Sequence, residues 1–182
     1  MSNHILVAYG TNVPQPTFNT IQTFDLVVKN FFDKNVNITS VGKMWHSLSW
    51  PDLSLPPYFN TVLSVKTDLD PISLLRVLHE IEAKFGRVRG EVGTDSANGP
   101  RTLDLDLISY FDYVVNNSAE LCVPHPRAHE RRFVMGPICD IDPQWRHPVL
   151  LKTAAELYDQ ANIAMDAYPI DGFFNGADFW SK

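Results

Sequence analysis

Cysteine is scarce in this chain: 182 residues hold two, Cys122 and Cys139, with no Cys-x-x-Cys pair. That argues against a structural disulfide and for reduced thiols in a cytoplasmic protein. No apolar stretch approaches the roughly 18 residues of a membrane span. The start, Met1-Ser2-Asn3-His4-Ile5-Leu6-Val7, runs into strand-like sequence without a charged-then-apolar leader. Basic residues are outnumbered, 15 Lys and Arg against 21 Asp and Glu. A net charge of −6 excludes a broad nucleic-acid-binding surface and leaves phosphate recognition to local arginine clusters. Internal repeats and low-complexity tracts are missing as well. What remains, 45% hydrophobic and 20% charged, reads as one globular domain over residues 1–182.

Ile5 to Ala8 is a short apolar run ending at Gly10-Thr11-Asn12, a buried strand running into a turn. Phe18, Ile21, Phe24, Val28 and Phe31 or Phe32 fall at helical spacing and predict a first helix over 18–32. Residues 36–45 alternate as a strand, then break into a proline- and serine-rich loop over 46–57. Tyr58 to Lys66 predicts the next strand. Asp70 is a good N-cap, Pro71 fits the first helical position, and Gly86 supplies a stop. Between them Leu74, Leu75, Leu78, Ile81 and Phe85 make an apolar stripe. With an acidic strand over 102–114, the order is β-α-β-β-α-β. The simplest compact solution is α+β: a ferredoxin-like core, its antiparallel four-stranded sheet carrying both helices on one face. Val123-Pro124-His125-Pro126 reads as extended, Lys152 to Gln160 as a short helix, and the tail from Tyr168 as irregular.

The acidic strand carries the chemistry. In Arg101-Thr102-Leu103-Asp104-Leu105-Asp106-Leu107, alternation sends the three leucines to one face and both aspartates to the other. Residues two apart on one strand face lie roughly 6.5 to 7 Å apart. Two carboxylates so placed can share a Mg²⁺ ion or bridge a pair, leaving the other coordination positions to phosphate and water. On an exposed strand such a pair is ordinarily just solvated. Here the leucines pin it to a core, and neighbouring like charges gain from a cation. Arg87, Arg89 and Arg101 fall within fifteen residues of one another, a local cluster for phosphate oxygens. His125 and His129 have a spacing that would bind zinc on a helix, but Pro126 argues against helix there.

The run Asn98-Gly99-Pro100-Arg101-Thr102-Leu103-Asp104-Leu105-Asp106-Leu107-Ile108 resembles the signature of the 6-hydroxymethyl-7,8-dihydropterin pyrophosphokinases of folate biosynthesis. Four more segments match in order: Gly10-Thr11-Asn12, Tyr58-Phe59-Asn60, Glu82 through Gly86-Arg87-Val88-Arg89, and Val123-Pro124-His125-Pro126-Arg127 through His129-Glu130-Arg131-Arg132-Phe133. The resemblance covers about residues 4–155 and leaves an irregular tail over about 162–182. It implies transfer of pyrophosphate from ATP to a pterin hydroxymethyl group, with two Mg²⁺ held by Asp104 and Asp106. By the same resemblance Arg87 and Arg101 contact phosphates, and His79, Glu82, Arg89, the Leu107 backbone, His125 and Arg131 surround ATP. Ser47, Leu48, Trp50, Tyr58, Asn60 and Phe133 fall at the pterin. Small molecules are the implied partners, with no nucleic acid and no membrane. Family members often carry a basic residue and a Trp where this chain has Ala97 and Asn98. A paralogue that binds nucleotide or pterin with weak turnover is therefore the alternative, and another Asp-x-Asp transferase using nucleotide sugars a more distant one.

Overall fold

Two strands buried on both faces organise the molecule, whose computed structural model describes residues 4–12, 19–49, 52–87, 102–115 and 120–174. β1 (Ile5–Thr11) runs antiparallel to β4 (Tyr58–Lys66) on one side and to β5 (Asp104–Tyr110) on the other. Cover on both faces is why Ile5, Leu6 and Val7 read as a continuous apolar run. The far side of β4 pairs with β2 (Asn37–Val41) and β3 (Trp45–Ser47), and β6 (Tyr168–Pro169) adds to β3.

Helices α1 (Thr20–Asp33) and α2 (Pro71–Lys84) cover one face. Asn19 caps α1 through Gln22, and its buried stripe is Phe24, Val27 and Phe31, while Ile21 and Phe32 stay exposed. Asp70 caps α2 by accepting from the Ile72 and Ser73 amides, with Pro71 at the first turn, and Gly86 follows at φ +81°. Leu74, Leu78 and Ile81 pack with Ile5, Val7, Leu63, Leu103, Leu105 and Leu107 in the larger core. The leucines of the acidic strand thus face α1 and α2, as their alternation predicts.

Two further helices, α3 (Arg132–Ile141) and α4 (Ala154–Gln160), lie on the opposite face. There Val134, Met135, Ile138 and Leu157 pack with Leu6, Val62, Ile108 and Trp145. Pairing of β1 with β5 skips Ile108 between Leu107 and Ser109, a bulge that returns Tyr110 to the first core.

The expected four-stranded sheet with helices on one face is corrected in three respects. Among the described residues the sheet has six strands, because the stretch expected as one strand over 36–45 divides around Gly42–Met44 and the tail adds a sixth. A Cβ on Gly42 would lie 2.5 Å from the Pro137 carbonyl oxygen, so only glycine lets the chain press this close to α3. The tail is not wholly irregular, since it supplies β6. Finally, α3 was not expected, and it lies on the second face. Its interior Gly136-Pro137 reads as a breaker, yet Trp45 fills the space a Gly136 side chain would take and holds the helix on the sheet. Among the described residues no helix is long and apolar enough to cross a membrane.

Candidate active site

With the leucines facing α1 and α2, Asp104 and Asp106 project toward α3. Cross-strand register sets their surroundings. Gly10 lies between Asp104 and Asn60, and Ala8 between Asp106 and Val62. These small residues form the floor of a cleft whose acidic side is β5 and whose amide side is Asn60. A Cβ on Gly10 would stand 3.1 Å from Asn60 Oδ1 and 3.8 Å from Asp104 Cβ. Arg131, Phe133 and Val134, at the start of α3, make the wall. The enclosed space between them is small, about 30 Å³.

Asp104 meets Arg87. The Arg87 Nη1 group bonds both Asp104 Oδ1 and Glu82 Oε1, and approaches the Leu103 carbonyl at 3.3 Å. Burial works against the Arg87 charge, but Asp104, Glu82 and Asp106 outweigh it and raise the guanidinium's pKa. Glu82 is only 1% exposed and also accepts the Leu105 amide at 2.8 Å. It therefore clamps β5 between the two aspartates.

Asp106 lies 4.0 Å from both His125 Nε2 and Arg131 Nη1. Burial and the charge of Asp104 push its carboxyl above the usual range, against the pull of His125, Arg131 and Arg87. Burial pushes His125 the other way, downward, with Asp106 opposing. His125 Nδ1 accepts the Arg127 amide at 3.2 Å, which leaves Nε2 to carry a proton facing Asp106.

On the amide side Asn60 is 5% exposed and donates from Nδ2 to Ser47 Oγ at 3.0 Å. That bond turns Oδ1 toward Gly10 and the cleft. Tyr58, half-buried, pairs with Ser47 across the strands, and the Arg131 guanidinium lies 5.9 Å from the Phe133 ring centre. Leu48 is exposed, its amide held by Asp166 Oδ2 at 2.7 Å.

Of the expected residues, Asp104, Asp106, Asn60, Arg131 and Phe133 line one cleft, with Arg87, Glu82, His125 and Ser47 touching or closely flanking them. His79 and Leu48 are not among the lining residues, and the Leu107 side chain is buried in the core. Trp50, Arg89 and Arg101, with Ala97 and Asn98, lie outside the described residues. His125 and His129 diverge, the first to Asp106 and the second against the His147 ring.

Sequence reasoning missed the floor. Gly10 was expected in a turn, but β1 continues through Thr11, and a glycine inside a strand marks close approach of neighbours. It also missed the hub beyond Gly10. Thr11 Oγ1 donates to the Thr102 carbonyl at 2.8 Å, and Asn12 Nδ2 reaches Ser49 Oγ at 3.4 Å and the Pro56 carbonyl at 3.3 Å.

Among the described residues no three His, Cys, Asp or Glu side chains gather as a closed metal cage. Two carboxylates on one stiff strand are instead the donor set of a hydrated Mg²⁺ ion shared with phosphate. The raised Asp106 carboxyl, whose nearest cationic groups among the described residues stand at 4.0 Å, fits that group.

An acidic pair set across a small-residue floor from an amide and an aromatic describes a cleft for a charged and a flat ligand together. The chain belongs to the 7,8-dihydro-6-hydroxymethylpterin-pyrophosphokinase (HPPK) family, whose profile matches residues 6–143. It is similar to a 2-amino-4-hydroxy-6-hydroxymethyldihydropteridine pyrophosphokinase of Synechocystis sp., 42% identical over 107 residues, 59% of this chain and 52% of that one. The Pseudomonas aeruginosa protein of that name is 31% identical over 150 residues, 81% of this chain and 86% of the other. The chain spans about half the length of the Synechocystis relative and about a fifth of the longer folic acid synthesis proteins it matches. Plasmodium falciparum HPPK-DHPS shares the fold at TM-score 0.62 and 14% identity, over 88% of this chain and 41% of that one.

Proposed function

We infer that the chain transfers pyrophosphate from ATP to the hydroxymethyl group of 6-hydroxymethyl-7,8-dihydropterin, giving AMP and the pterin diphosphate. The observation that carries this reading is the juxtaposition of Asp104 and Asp106 with Asn60 and Phe133 across Gly10 and Ala8. In the reaction the pterin hydroxyl oxygen bonds to the β-phosphorus, the α–β bridging bond breaks, and AMP leaves with the bridging oxygen. Positioning and charge neutralisation are the main catalytic needs of such a transfer.

Asp104 and Asp106 would hold two Mg²⁺ ions. When bound, these neutralise triphosphate charge and polarise the reacting oxygens. Arg87 and Arg101 contact the phosphates, and Arg131 and His125 bring positive charge and a donor beside Asp106. His79, Glu82, Arg89 and the Leu107 backbone complete the nucleotide side, with Glu82 also fixing the Leu105 amide. On the other side, Phe133 offers a flat face for stacking and Asn60 Oδ1 an acceptor for the pterin's amide-like edge. Ser47 orients that amide, and the family resemblance adds Tyr58, Leu48 and Trp50 to the pterin side. The substrates are small molecules, and the reaction belongs in the cytoplasm.

Incubation with ATP, Mg²⁺ and the reduced pterin alcohol tests the reading. AMP should form only when all three are present. AMP released without pterin, or tight ligand binding with no AMP at all, would contradict it.

A further inference from the structure

The transfer reaction gives no reason for the contact Arg87 makes with Asp104 and Glu82. Its Nη1 atom sits among three oxygens: Glu82 Oε1, Asp104 Oδ1 and the Leu103 carbonyl. Side-chain exposure is 1% for Glu82, 18% for Arg87 and 17% for Asp104. Two carboxylates and a carbonyl are the donors a hard cation takes. A carboxylate as buried as Glu82 is strongly destabilising without a counter-charge. The seat therefore calls for a cation, and the chain supplies its own. Asp106, two residues along, has its nearest cationic groups among the described residues at 4.0 Å.

We propose that Arg87 is a placeholder cation, which occupies Asp104 until a metal-bearing nucleotide arrives and then turns to the phosphates. This rests on the reading that Asp104 and Asp106 hold divalent ions. It goes further by making the free protein a poor metal binder and by coupling metal entry to nucleotide. A guanidinium on Asp104 Oδ1 takes up one of that carboxylate's lone pairs and repels a divalent ion arriving at it, so the two compete. If the seat is open in about one molecule in ten, apparent metal affinity falls roughly tenfold. A triphosphate gives the displaced guanidinium a better-matched anion, so the exchange is favourable only when nucleotide comes with the metal. The swing is confined to the side chain, because the Arg87 amide stays bonded to the Glu82 carbonyl at 3.2 Å.

Calorimetric titration of Mn²⁺ tests this, on wild type, Arg87→Ala and Arg87→Gln, with and without a non-hydrolysable ATP analogue. Without nucleotide, both variants should bind Mn²⁺ roughly tenfold tighter than wild type, and the analogue should shrink the difference. Should Arg87→Ala fold poorly, Arg87→Gln retains a hydrogen-bonding side chain, and Mn²⁺ should raise its melting temperature more than it raises that of wild type. Arg131→Gln removes a cation near Asp106 without emptying the seat, so its gain should be much smaller. Equal gains would make Arg87 one electrostatic neighbour among several and overturn the proposal. So would Arg87 variants that bind Mn²⁺ no better than wild type, and if wild type with the analogue still binds it through Asp106, the metal reading survives. Analogue-dependent Mn²⁺ binding that persists in Asp106→Asn would sink both.

Discussion

At Asp106 stability and function pull in opposite directions. Burial and the neighbouring Asp104 make its ionised form costly, while among the described residues no cation closer than 4.0 Å stabilises it. Asp106→Asn should therefore lower AMP formation by about 10³-fold or more while leaving stability equal or higher in urea titration. A destabilised, unfolded variant would instead make Asp106 a structural residue. His147 offers a different test. It is 5% exposed, and its Nδ1 accepts the Val149 and Leu150 amides, each at 3.2 Å. Burial, helped by His129, lowers its pKa from 6.5 to about 4. Because the folded value lies below the unfolded one, stability is fully present above pH 6.5 and declines as pH falls toward 4. The loss should amount to roughly 1–3 kcal/mol at the acid end. His147→Asn, which keeps an acceptor but does not titrate, should flatten the dependence of the urea midpoint over that interval. An unchanged slope would remove His147 from the acid response.

Among the elements, those the sequence revealed are the ones with local signals. Tyr58–Lys66 is rich in aromatic and β-branched residues and becomes β4, and α2 carries its cap, its proline and its stripe within one short stretch. The acidic pair was legible for the same reason, since period-two alternation needs only the strand itself. What long-range register decides was not legible. Nothing near Gly10 says that Asp104 and Asn60 will flank it, and nothing near Gly136-Pro137 says that Trp45 will pack where a side chain would be. Asp140 completes that joint, accepting Trp45 Nε1 at 3.0 Å and the Lys43 amide at 3.1 Å. A Cβ on Gly136 would fall 2.4 Å from the Trp45 ring. Gly136→Ala should thus cost about 1–3 kcal/mol in denaturant unfolding, although alanine is the better helix former. Equal or greater stability would mean that the joint between α3 and the sheet is loose.

Across the whole molecule, the cleft depends on segments far apart in sequence. β1 and β4 supply the floor and Asn60, β5 the acids, and the start of α3 the wall. The chain after α4 braces that wall, with Ile163 bridged to Arg131 and accepting the Arg132 amide at 3.0 Å. A few residues on, Asp166 holds the Leu48 amide, and β6 lies against β3. The segment that sequence left without a role therefore supports both sides of the proposed pterin pocket. Asp166→Ala should raise the pterin KM several-fold and leave the KM for ATP nearly unchanged; a matched rise in both would point to general loosening. The acidic pair itself is tested most directly by anomalous diffraction from crystals soaked with Mn²⁺, a non-hydrolysable ATP analogue and the pterin. Manganese peaks should appear within bonding distance of Asp104 and Asp106, between those carboxylates and the triphosphate. Nucleotide bound in the cleft with manganese elsewhere, and both aspartates contacting only protein or solvent, would contradict the assignment.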